Sequence, residues 1–193
     1  MNDTQLIYAN WVMAATAIAA ALAAIASARY ARKAIGGQQK NFDNQIAEYR
    51  LTLSAETALK FQTAFDDKTF KKARVKAAQA LPNKQGESEA EDVFDFFDTV
   101  GLFVRLGALN AEIAHSVFFH WINLYWRAGK HHIGSKQADT AAVWKDFEFL
   151  YNRMCEFEKR KDPNAEDLKM PDSRLRQQLK EEFDLGFQFM TQR

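Results

Sequence analysis

The sequence predicts an all-α protein: one N-terminal transmembrane helix followed by a cytosolic helical bundle of about five to six helices. Three observations carry this expectation. Residues 6–28 hold no charged side chain, and about 20 apolar residues cross a bilayer as one helix. The remainder is rich in Ala, Leu, Phe, Lys, Glu and Gln, residues of helical composition, with no strand-like alternation of β-branched side chains. Proline is scarce, three in 193 residues, so long helices are not interrupted.

The span comes first. Leu6, Ile7, Val12, Ile18, Leu22 and Ile25 are its strong hydrophobes, together worth on the order of −2 to −4 kcal/mol of insertion free energy. Trp11 and Tyr8 lie toward one end and Tyr30 beyond the other, as interfacial anchors do. The segment before the run, MNDTQ, is not basic, which argues against a cleaved signal peptide. Ala28 ends the run, and Arg29, Arg32 and Lys33 follow. The positive-inside rule then places the N-terminus outside and the C-terminal bulk in the cytoplasm. Ala14, Ala17, Ala21, Ala24 and Ala28 recur at three and four residues. Such a small-residue face lets two spans approach closely in lipid, and it predicts a homo-oligomer; the alternative is that Ala fills a lone helix.

Residues 1–35 thus form an anchor, 36–66 a juxtamembrane helix or stalk, and 67–193 a cytosolic bundle. Gly36-Gly37 interrupts the first helix. The next runs from about Gln38 to Phe65, with Phe42, Ile46, Tyr49 and Leu53 at spacings of four, three and four, and Phe61 and Phe65 continuing the face. This stripe is read either as a stalk coiled coil or as packing on its own domain. A third helix covers Lys68 to Leu81, stopped by Pro82. Ser88 and Glu91 have capping-box spacing at the start of the fourth, which ends near Gly107. Asn110 caps a fifth helix to about Ala128. Its stretch from Val117 to Trp126 is apolar almost all round, so Trp121 is expected deep in the core. Gly129 to Thr140 reads as a polar connection, and Asp139 or Thr140 as the cap of a sixth helix. Asp172 or Ser173 starts the last, after a charged linker with Pro163 and Pro171.

Chemistry is sparse. Glu112-x-x-His115 has the spacing of carboxylate-bridged di-iron bundles, but a second such motif is lacking, so no metal or cofactor is expected. His131 and His132 are adjacent and so cannot share a helical ligand face. The single cysteine, Cys155, sits among Met154 and Phe157 and reads as a packed thiol. A formal charge of +1 argues against a dedicated nucleic-acid binder. Charge is nonetheless patterned: Lys68, Lys71, Lys72, Arg74 and Lys76 precede the acidic run from Glu87 to Asp98. Either the two segments pair across a hairpin, or Lys68, Lys71, Lys72, Arg74 and Lys76, with Arg29, Arg32 and Lys33, meet lipid headgroups or a phosphate ligand, or the charges are plain solvated surface.

The run VFDFFDTVGLFVRLGALNAEIAHSVFFHWINLYW carries a resemblance. Its Asp-Phe-Phe start, the Gly107 to Leu109 turn, Glu112 and the Phe/Trp run ending at Trp126 resemble an uncharacterised family of bacterial single-span proteins with a domain of unknown function. The likeness covers about residues 7 to 160. It implies a helical cytosolic tail on an inner-membrane anchor and lends no activity, so no functional residues follow from it. The function expected is a membrane-tethered, non-enzymatic interaction or regulatory module, self-associating, with a cytosolic protein or small ligand as partner. The alternative is a small membrane effector, for example in anti-phage defence, whose tail senses a signal and whose clustered spans perturb the bilayer.

Overall fold

The computed structural model describes residues 27, 30, 38, 41–83, 87–162 and 170–191. All regular structure among them is helical. Among the described residues no helix is long and apolar enough to cross a membrane. Apart from residue 27, the expected span at residues 6–28 lies outside the described residues, as do its alanine face and Arg29, Arg32 and Lys33.

Contacts divide the chain into two units, residues 1–49 and 50–193. In the first, residues 41–49 are helical, and Phe42, Ile46 and Tyr49 are 58%, 37% and 65% exposed. The second unit holds the bundle. Its helices are α1 (50–66), α2 (Lys68–Ala80), α3 (Glu91–Arg105), α4 (Ala111–Asp139), α5 (Lys145–Lys161) and α6 (Asp172–Thr191), with short 3-10 turns at Leu81–Asn83 and Glu87–Ala90. The division falls at 49/50. Ala58 and Phe65 are buried in the bundle and Phe61 packs against it, which draws 50–66 into the second unit. Leu53, the last residue of the apolar stripe, stays 41% exposed.

Phe65 is the hub of an aromatic core. Its ring meets Phe70, Phe96, Phe97, Phe118 and Trp121 at centroid distances of 5.4–5.8 Å. Such tilted and edge contacts add to the burial of large apolar area. Phe97 stacks on Phe147 at 5.3 Å, joining α3 to α5. Gly101 on α3 lies where any Cβ would overlap the Asp146 backbone carbonyl, so the α3–α5 crossing needs a residue without a side chain.

Several helix starts follow local rules. Asp67 caps α2 by accepting from Thr69 N at 2.7 Å. Asn110 caps α4 through Glu112 N and Ile113 N at 2.8 and 3.2 Å, as its sequence position predicts. α6 begins at Asp172, also as expected. Other expectations are corrected. The capping box at Ser88 does not form: α3 starts at Glu91 with no side-chain cap, because Glu91 is engaged by His132 and Lys136 of α4. α4 does not stop near Ala128 but runs to Asp139, since Ile133 extends its buried face. α5 begins only at Lys145, and neither Asp139 nor Thr140 caps it. Trp121 is only partly buried; Tyr125, one turn on, takes the fully buried place.

Candidate functional site

An open groove of about 810 Å³ lies between α1, α2 and α3. Its apolar lining is Ala64 from α1 with Phe70 and Ala73 from α2; Lys60 flanks it. Three carboxylates line it as well: Asp67 at the start of α2, and Asp92 and Asp95 on α3. The charges have different standing. The Asp67 carboxyl is held below the usual range by the Thr69 backbone N–H it accepts. Asp95 accepts the Trp144 indole N–H at 2.7 Å. Asp92 is exposed and no described residue pairs with it. Histidine and cysteine are missing from the lining. The groove can therefore bury an apolar group that carries a cation.

The basic segment does not form one face. Arg74, Ala77, Ala78 and Leu81 recur at three, four and seven residues, and all four are buried. Arg74 is 6% exposed and pairs with Glu182 of α6, itself 8% exposed. Its guanidinium lies over the Phe65 and Trp121 rings at 4.0 and 4.5 Å and donates to the Phe65 carbonyl at 3.2 Å. It therefore sits beneath α6, not on the surface where a lipid headgroup would meet it. Lys76 pairs with Glu89 at 3.1 Å, one link of the kind expected between the basic and acidic segments. Lys71 approaches Asp66 at 4.0 Å, while Lys68 and Lys72 are exposed.

The acidic run does work that sequence reading missed. Asp98 on α3 accepts from Asp146 N and Phe147 N, both at 2.9 Å, and so caps α5 from another helix. Burial pushes the Asp98 carboxyl up, and those two N–H groups pull it back. Arg105 clasps Asp146 with two bonds at 2.5 and 3.0 Å. Trp144, just before α5, adopts φ 49°, left-handed backbone rarely used by a bulky residue. The three-residue spacing of Asp95 and Asp98 was the only available signal; their partners are 49 and 48 residues away.

The histidines are structural in placement. His115 is a core residue, stacked on Phe119 at 4.8 Å and 2.7 Å from the Glu158 carboxylate. His131 and His132 lie on α4, not in the polar connection expected from Gly129 to Thr140. His132 stands between Glu87 at 3.4 Å and Glu91 at 2.9 Å. Lys136 and His132 hold the Glu91 carboxyl below its ordinary value. Among the described residues no group of three His, Cys, Asp or Glu side chains could hold a metal ion. Cys155 is half-buried beside Tyr151. Burial pushes its thiol up, and the same cause lifts the Tyr151 hydroxyl to about 12.

No curated protein matches the chain, and no solved structure does. A family model does match, over residues 11–154, which includes all of α1 to α4 and most of α5. The chain belongs to the DUF4760 family, a domain of unknown function.

Proposed function

We propose that the protein is a membrane-tethered, non-enzymatic interaction module. Its N-terminal span fixes it to the bilayer, and its helical bundle takes up a cytosolic protein partner in the α1–α2–α3 groove. The observation that carries this reading is the pairing of an apolar lining at Phe70 and Ala73 with the carboxylates of Asp67 and Asp92. That combination suits a segment presenting an apolar side chain next to Lys or Arg, because apolar burial supplies affinity and the charges fix orientation. The test uses a labelled helical peptide of Leu and Lys, with a Leu and Glu peptide as control. Fluorescence anisotropy should show the Lys peptide binding the intact chain about tenfold more tightly than the chain carrying Asp92→Lys and Ala73→Leu. Equal binding to both chains would remove the groove from the proposal.

A second reading, the clustering membrane effector, draws support from the exposure of Phe42, Ile46, Tyr49 and Leu53, four large apolar side chains at heptad-like spacing. Cross-linking in membranes should show oligomers for the parent and fewer for the Ala17→Leu, Ala21→Leu, Ala24→Leu variant. A monomeric parent at native expression would leave the span as a tether only.

A further inference from the structure

α6 lies wholly beyond the stretch matched by the family, which ends at 154. The residues it covers do not: Arg74, Trp121 and Tyr125 belong to the matched part. The described face of α6 buries three side chains, Leu175, Leu179 and Glu182, and leaves most others exposed. Gly186 brings its backbone so near α2 that a Cβ there would overlap Val75.

The groove beneath α6 is prepared by the bundle alone. Arg74 is held by the Phe65 carbonyl and by the rings of Phe65 and Trp121, none of which comes from α6. One Nη meets Glu182, while the Nε has no hydrogen-bond partner although it is buried. Guanidinium favours a two-point grip on a carboxylate, so this site binds Glu182 with half its capacity. A buried ion pair contributes little net stability over an apolar replacement, yet it discriminates strongly between a partner with the matching charge and one without.

We propose that α6 is a built-in ligand occupying a helix-binding groove of the bundle. The groove's intended occupant is a partner's amphipathic helix that repeats the Leu175, Leu179, Glu182 pattern and seats its carboxylate on Arg74. α6 and the partner compete, and the competition sets when the partner binds. This site is separate from the α1–α2–α3 groove, and it stands or falls independently of it.

The test inserts a recognition site for a sequence-specific protease between residues 163 and 169 of the full chain. Cleavage frees α6 from its tether without altering either helix-facing surface. A labelled peptide of residues 170–191 should then bind the cut chain, and bind the uncut chain much more weakly, because tethered α6 holds a high effective concentration. The same peptide with Glu182→Gln should bind the cut chain at least tenfold more weakly. A cut chain carrying Arg74→Met should no longer distinguish the two peptides. Circular dichroism of the cut chain after removal of the released helix should keep the bundle's helical signal. Unfolding at that step would make α6 an integral part of the core and overturn the proposal. So would equal binding of the Glu and Gln peptides, or dimers formed by exchange of α6 between two copies in place of peptide uptake.

Discussion

α5 and α6 are both laid against earlier helices, but they are held in opposite ways. α5 is attached to α3 along much of its length. Asp98 caps its start, Arg105 grips Asp146, Gly101 admits its backbone, and Phe147 and Leu150 fill the core beneath. α6 is attached to α2 by the buried pair Arg74 with Glu182, by Leu175 and Leu179, and by the close approach of Gly186 to Val75, with Phe183 packed on the core. Capped and clasped attachment makes a helix part of the cooperative unit; attachment centred on one charged pair, with most of the helix exposed, lets it open locally.

The largest effect should come from the α6 side and should stay there. Glu182→Ala leaves Arg74 as an uncompensated charge under α6, at a cost of about 3–5 kcal/mol. Hydrogen exchange should report this as faster exchange of α6 amides while those of α3 and α5 hold their protection. Global loss of protection would erase the contrast. Replacing both partners, Arg74→Met with Glu182→Leu, should restore protection to near the parent level.

On the α5 side the changes should be global. Gly101→Ala forces a methyl against the Asp146 carbonyl and should lower overall stability by about 3 kcal/mol. Urea unfolding followed by circular dichroism measures it, and the slope should be unchanged. Asp98→Ala orphans two N–H groups at the α5 start and should cost about 2 kcal/mol in the same assay. If α5 amides alone lose protection in either variant, α5 is no better integrated than α6.

The smallest effect is a pH dependence at the far end of α5. Burial, then Lys161, holds the His115 imidazole below its ordinary 6.5, against the pull of Glu158. The unfolded chain therefore takes up that proton more readily than the folded one. The His115 contribution is complete above 6.5 and is lost as pH falls from there through the lower folded value. Melting temperatures at pH 7.5 and 5.5 should drop further for the parent than for His115→Gln. The reverse order would mean that Glu158 dominates burial.

Some of this was readable in the chain and some was not, for definable reasons. Asn110, Pro82 and Asp172 act on residues within four positions, so their effects could be read locally. The α5 start could not be, because Asp98 and its partners are separated by 48 residues. Arg74 was masked by its neighbours. Among Lys68, Lys71, Lys72 and Lys76 it reads as surface charge, although its spacing to Ala77, Ala78 and Leu81 already places it on the core face. The α1–α2–α3 groove had no sequence signal, since it arises from the angles at which three helices meet.

Trp144 gives the borrowed cap at Asp98 a temporal meaning. The first N–H groups of α5 acquire acceptors only after α3 has formed and docked. Until then the start of α5 lacks a side-chain cap from its own segment, and Trp144 lacks the Asp95 acceptor for its indole. Secondary structure here waits on tertiary contact. A chain made from its N-terminus should therefore keep α5 unsettled until α3 is in place, and α5 then becomes a late clasp that reports, by its own existence, that the bundle has closed.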